Sequence, residues 1–233
     1  MTKSIFSRRE MISATALVGT GVALAGCSES KAHTVATPAQ TEGPFYPVLD
    51  QADKDADLTT VQGRENVADG EVISVQGRVI DEAGLPIANA VVDVWQANAV
   101  GRYAHESDTT TAPLDPNFQG WAIIKTDAEG NYRFKTVKPG AYPADEGWIR
   151  PPHIHFKVSR RGYREITTQM YFESEPLNDI DKLLGKLPKD AQQIMKQRFG
   201  SHIKILKNEI DHVEEYCEKF GGREFIKAEL DKN

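Results

Sequence analysis

A mostly β fold is predicted: a β-sandwich of mainly antiparallel strands, with an extended N-terminal arm and a helical C-terminal segment. Three observations carry it. Short apolar runs alternate with polar residues at period two between Glu71 and Phe172, Gly- and Asp-bearing turns separate the runs, and apolar residues take a helical spacing only beyond Pro188. A strand sends neighbouring side chains to opposite faces and a helix does not, so the change of period marks a change of element.

The first 27 residues read as an address. Lys3, Arg8 and Arg9 precede a small, apolar stretch, Met11 to Ala25, too short to span a membrane comfortably. Ser7-Arg8-Arg9-Glu10-Met11-Ile12 resembles a twin-arginine export signal, and Leu24-Ala25-Gly26-Cys27 resembles a lipobox. The expectation is export by the twin-arginine route to a periplasmic or cell-surface location, with a membrane tether through lipidated Cys27. An ordinary secretory signal with a coincidental arginine pair is the alternative.

Residues 28–70 are polar and aperiodic, a tether and then an extended arm. The exception is Thr41-Glu42-Gly43-Pro44-Phe45-Tyr46-Pro47, whose two aromatics between prolines suggest a segment that packs onto something. A single domain is expected over 71–233. Its first strand begins at Glu71, where Val72, Ser74, Gln76 and Arg78 alternate with Ile73, Val75 and Val79, and a turn follows at Asp81-Glu82-Ala83-Gly84. Ala90 to Gln96 is a second, β-branched run. After an irregular stretch, Trp121 to Thr126 and Tyr132 to Thr136 flank Asp127-Ala128-Glu129-Gly130 and predict a hairpin. Ile154 to Ser159 and Ile166 to Phe172 add two strands. Ile194, Ile203, Leu206, Ile210 and Val213 then predict a helix within about 186–218, and Phe225 to Leu230 a closing strand.

The formal net charge of the 233 residues is −6, and no basic patch stands out, so nucleic acid is not an expected partner. Cys27 and Cys217 are the only cysteines, which excludes a disulfide framework and a thiolate metal site. A metal here would need other donors.

Pro151-Pro152-His153-Ile154-His155-Phe156 offers them, because histidines two apart on a strand share a face. Alone, such a pair is often structural. Tyr142, in Lys138-Pro139-Gly140-Ala141-Tyr142-Pro143, and Tyr103, in Gly101-Arg102-Tyr103-Ala104-His105, are expected in loops that follow strands. Phenolate is a hard anionic donor, and two of them with two neutral imidazoles would favour ferric iron over soft metals. Either tyrosine alone could equally be a packing aromatic.

With these residues the chain resembles the intradiol ring-cleavage dioxygenases, most closely the protocatechuate 3,4-dioxygenase type. The similarity runs from about Glu71 to Asp181, with a weaker echo at Thr41 to Pro47. It rests on Gly101-Arg102-Tyr103 followed by Ala112-Pro113-Leu114-Asp115-Pro116-Asn117-Phe118, on the Lys138 to Pro143 motif, on Trp148-Ile149-Arg150-Pro151-Pro152-His153-Ile154-His155-Phe156, and on Thr168-Gln169-Met170-Tyr171-Phe172. The resemblance implies a non-haem Fe(3+) ion held by Tyr103, Tyr142, His153 and His155. It implies an enzyme that uses O2 to open a small aromatic diol between its hydroxylated carbons, giving a cis,cis-muconate-type diacid without an external reductant. Tyr142 would leave the metal carrying a substrate proton, Arg150 would stabilise carbanion character on the ring, and Gln169 would stand near the ligand histidines. The alternative for Arg150 is a salt bridge to Asp145 or Glu146, and for Gln169 a solvent-facing strand position. His105 matches no ligand position.

The chain departs from the pattern in lacking the long helical N-terminal domain of catechol 1,2-dioxygenases. The protocatechuate type pairs two different subunits of which only one supplies iron, and this chain carries the iron ligands; a homo-oligomer is expected, with a heteromeric partner as the alternative. Two other readings remain. Gly77 to Val92 also resembles transthyretin-like binding modules, which would leave the tyrosines and histidines unexplained, and His153 and His155 with a carboxylate could make a zinc hydrolase.

Overall fold

The computed structural model describes residues 36–51 and 53–197, with the backbone of 201–204. Two sheets make the sandwich. In the first, β1 (Val72–Ile80) pairs antiparallel with β4 (Asn131–Val137), and β10 (Ser201–Lys204) runs parallel along the other edge of β1. In the second, β2 (Val91–Trp95), β3 (Trp121–Lys125), β7 (His153–Ser159), β8 (Ile166–Phe172) and β9 (Lys196–Gln197) lie in the order β3-β2-β7-β8-β9. All its pairings are antiparallel except β8 with β9. A separate two-stranded ribbon joins β5 (Tyr142–Asp145) to β6 (Trp148–Arg150).

Alternation decides what each sheet buries. On β4, Tyr132, Phe134 and Thr136 are buried while Asn131, Arg133 and Lys135 are exposed. Val75 and Val79 of β1, Val92 and Val94 of β2, and Ile154, Phe156 and Val158 of β7 meet them in one core. Each such side chain contributes about 1.5–3 kcal/mol through removal from water. Because these residues take the inner face of the second sheet, Asp93 and Trp95 of β2, His153 and His155 of β7, and Gln169 and Tyr171 of β8 necessarily take its outer face.

Three expectations need correction. The segments flanking Asp127-Ala128-Glu129-Gly130 are not a hairpin: β3 pairs with β2 and β4 with β1, so the turn is a corner between the sheets. The turn itself is tight, with Asp127 Oδ1 accepting from the N–H groups of Glu129 and Asn131. Tyr142 lies not in a loop but at the start of β5. The C-terminal helix is shorter than its spacing suggests, α1 spanning Lys189–Met195. The chain then pairs its backbone along the free edges of β8 and β1, and an unpaired strand edge offers hydrogen bonds that compete with helix. Residues 205–218 of the expected helix, the Phe225 to Leu230 strand and the first 27 residues lie outside the described residues. Among the described residues no helix is long and apolar enough to cross a membrane.

Candidate active site

The outer face of the second sheet is covered by the arm, by the β5–β6 ribbon and by two short 3₁₀ turns, Pro176–Ile180 and Leu184–Lys186. On the arm, the backbone N–H of Gln40 donates to Thr167 O (2.8 Å), and Thr168 Oγ1 donates to Pro38 O (2.8 Å). The aromatics of the arm pack as their sequence suggests. Phe45 stacks on Tyr103 with ring centroids 4.6 Å apart. Tyr46 meets Trp95 edge-on and donates to Asp93 Oδ2 (2.7 Å). Lys157 lies 3.8 Å from the Tyr46 ring centroid and pairs with Glu42.

Beneath this cover the four residues singled out as donors come together. Ring centroids are 4.9 Å apart for His153 and His155, 5.4 Å for Tyr103 and Tyr142, 5.7 Å for Tyr142 and His153, and 6.4 Å for Tyr103 and His155. The Nε2 atoms of the two histidines are 3.2 Å apart. Nδ1–H of His153 donates to Pro151 O (2.6 Å), which leaves its Nε2 lone pair free. His155 lies flat on Trp95, with centroids 4.8 Å apart and planes 12° apart.

Two loops set the tyrosines. Asn98 Oδ1 accepts from the backbone of Val100 and Arg102, and Asp108 Oδ2 from the N–H of Tyr103 at 2.7 Å. Burial raises the Asp108 carboxyl, but bonds from Tyr103 and Thr110 and the charge of Arg102 bring it below the usual range. Gly101, at φ +80°, presses this loop against β5: a Cβ there would stand 2.2 Å from Ala141 O. No other residue permits so close an approach.

Electrostatically the cluster is dry. Burial pushes both imidazoles down, His153 well below the ordinary value and His155 to about 3, with Arg150 adding to the effect. Burial also raises the phenols of Tyr103 and Tyr142, while Arg150 opposes the rise in both. The histidines therefore stay neutral and the phenols protonated at pH 7. Tyr103 Oη and His155 Nδ1 are buried without a hydrogen-bond partner. Buried polar atoms are seldom left unpaired, and an orphaned phenol oxygen beside two converging imidazoles suits a metal centre.

Arg150 is 4% exposed, and its partner is neither Asp145 nor Glu146. Its Nε donates to Asp181 Oδ1 (3.0 Å) and its Nη2 to Gln169 Oε1 (2.6 Å) and Tyr171 Oη (3.1 Å). Gln169, opposite His155 in the β7–β8 register, is 2% exposed, which removes the solvent-facing reading. Its amide does not bond a histidine: Oε1 accepts from Arg150 and Nε2 donates to Thr41 O (2.9 Å). Asp108, Asp181 and Tyr171 were not anticipated as parts of the site. His105 stands beside Phe45, its Nδ1 accepting from the N–H of Ser107 (3.1 Å).

Fold and donors together define a β-sandwich with a buried cluster of two imidazoles and two phenols, flanked by a fixed guanidinium. A family model described as Dioxygenase matches residues 41–203, so the arm belongs to the shared core rather than being a weak echo of it. The protocatechuate 3,4-dioxygenase beta chain of Burkholderia cepacia is 46% identical over 161 residues, 67% of this chain and 68% of that one. Catechol 1,2-dioxygenase 2 of Acinetobacter lwoffii is 35% identical over 153 residues, 60% of this chain and 52% of that one, so the chain spans about half of that relative's length. The crystal structure of catechol 1,2-dioxygenase from Pseudomonas arvilla C-1 superposes with a TM-score of 0.56 at 27% identity, covering 74% of this chain and 63% of that one. The chain belongs to the intradiol ring-cleavage dioxygenase family, near the protocatechuate type.

Proposed function

We propose that this protein is an exported non-haem iron(III) dioxygenase that opens a catechol-type diol between its hydroxylated carbons, using O2, to give a muconate-type diacid. The observation that carries the reading is the convergence of Tyr103, Tyr142, His153 and His155, with imidazole nitrogens 3.2 Å apart and an orphaned phenol oxygen beside them. These donors fit a hard trivalent ion, and their protonation implies that metal uptake releases protons from the phenols. The zinc-hydrolase reading fits less well, because no group of three or more His, Cys, Asp or Glu side chains among the described residues could hold a metal. A transthyretin-like binding module would not need a buried cluster of this kind.

When bound, iron(III) would draw electron density from the catecholate ring and make it reactive toward dioxygen. The protein's own groups do the rest. His153 and His155 present lone pairs at neutral pH, since burial keeps them neutral. The raised phenol of Tyr142, beside the Arg150 charge, is suited to take up and hold a substrate proton at Oη. Arg150 lays a fixed positive charge beside the ring where carbanion character develops. The arm, the ribbon and the aromatic cluster keep bulk water out.

Donors and arm come from one chain, which supports activity without a second, different subunit. Twin-arginine export and lipidation of Cys27 belong to the same proposal. Loss of labelled-lipid incorporation in Cys27→Ser would support the anchor, and unchanged incorporation would remove it. For the chemistry, iron-loaded protein given catechol or protocatechuate under labelled O2 should place both oxygen atoms in a ring-opened diacid. Incorporation of label from water alone, with no O2 consumed, would defeat the proposal.

A further inference from the structure

Resting on that functional reading, we infer that Asp181 is a positioning residue for ring opening, acting through Arg150 by fixing the plane and place of its guanidinium. Nothing in the sequence marks Asp181, which lies 26 residues beyond His155 where the 3₁₀ turn Pro176–Ile180 ends.

Its surroundings are those of a built site. The Asp181 side chain is fully buried, and Oδ1 accepts from Arg150 Nε (3.0 Å) and from Trp148 Nε1 (3.3 Å). Oδ2 accepts from the N–H of Leu184 (2.9 Å) and from Tyr171 Oη (3.4 Å). Arg150, Trp148 and the Leu184 N–H hold the carboxylate still, with the single Tyr171 proton shared among Asp181, Gln40 and Gln169, and the carboxylate in turn holds Nε. On the same edge of the guanidinium, Nη2 is held by Gln169 and Tyr171.

An arginine keeps its charge in any rotamer, so the pairing does not serve to charge it. What it supplies is location. With Nε and Nη2 both engaged, the guanidinium cannot rotate about its stem, and its charge is fixed where Tyr103, Tyr142, His153 and His155 all feel it. Asp181 makes no recorded bond to any of those four rings; its charge also raises the Tyr142 phenol directly, but the placement it supplies passes through Arg150.

The test is a double-mutant cycle on iron-loaded protein with catechol. Asp181→Asn keeps the shape and one of the two acceptor oxygens but loses the charge, and it should lower kcat by about 10- to 100-fold with little change in KM. Arg150→Gln should lower kcat further, and the double variant should be no slower than Arg150→Gln alone. A purely structural role would instead cost the same factor in both backgrounds, and that result, or an unchanged kcat in Asp181→Asn, overturns the inference. Should Asp181→Asn not fold, Asp181→Glu, which keeps the charge but moves it by one methylene, enters the same cycle with the same expected non-additivity. Wild-type protein that opens no catechol ring would defeat the functional reading itself, whereas an active wild type with additive variants defeats only the role of Asp181.

Discussion

On β7, Ile154, Phe156 and Val158 point into the sandwich while His153 and His155 point out of it, so one strand serves two environments on opposite sides of one sheet. The inner face is apolar, and many side chains share its work. On the outer face each polar atom has a specific partner or conspicuously lacks one, as with Tyr103 Oη and His155 Nδ1. The inner face should therefore tolerate change in proportion to volume, and the outer face in proportion to chemistry. Stability and activity should separate cleanly between them.

Substitutions on the outer face should show the largest effect. Tyr103→Phe or His155→Ala should lower iron content and ring-opening activity by at least about a hundredfold, more than the loss of a partner behind a ligand. The melting temperature of metal-free Tyr103→Phe should hold or rise, because a buried unpaired polar atom is removed while the ring stays, whereas His155→Ala also vacates its stack on Trp95 and should lower it. Iron analysis beside calorimetry checks this, and a large loss of metal-free stability would break the contrast.

Phe156→Ala, one residue from His155 and on the opposite face, should cost about 3–5 kcal/mol in a urea titration. The folded fraction should still bind iron. If it bound none, the two faces would be coupled.

Acid should act on the outer face first, before the lowered carboxyls of Asp57 and Asp127 elsewhere are reached. His155 is held neutral by burial, at about 3 against an ordinary 6.5, so the unfolded chain binds more protons between those values. Stability of the metal-free protein is then fully present above about pH 6.5 and is lost as pH falls toward 3, by roughly 2–3 kcal/mol between pH 7 and 4.5 from this histidine alone. His155→Gln should flatten that dependence. An equally steep loss in the variant would assign it to other groups.

Tyr46→Phe is the mildest probe. It removes the hydrogen bond from the arm to Asp93 while keeping the ring on Trp95, and it should cost about 1 kcal/mol with ring opening within a few-fold of normal. A larger loss of activity would make the arm part of the chemistry rather than its cover.

Much of this was legible in the sequence because it follows from local periodicity. The alternation in Val72 to Val79 places β1, and the same period puts His153 and His155 on one face. What was not legible depends on pairing across the chain. Asp127 and Gly130 specify a tight turn, but nothing in the turn says that β3 and β4 join different sheets. Beyond Met195 the edges of β8 and β1 capture a chain whose own spacing suits a helix. Asp181 and Asp108 are single acids in irregular segments, without the spacing that makes a pair of histidines visible. The Gln169 motif does not reveal that its partner is Arg150, a contact that only the packing of β6 on β8 creates.

The most direct test is the visible spectrum of iron-loaded protein, recorded before and after anaerobic addition of catechol. Tyrosinate coordination predicts a broad red-brown band that moves to longer wavelength as catecholate takes the place of Tyr142, and that fades in Tyr103→Phe. A protein that takes up iron and stays colourless, or whose band ignores catechol, would contradict the assignment of Tyr103, Tyr142, His153 and His155 as the metal centre.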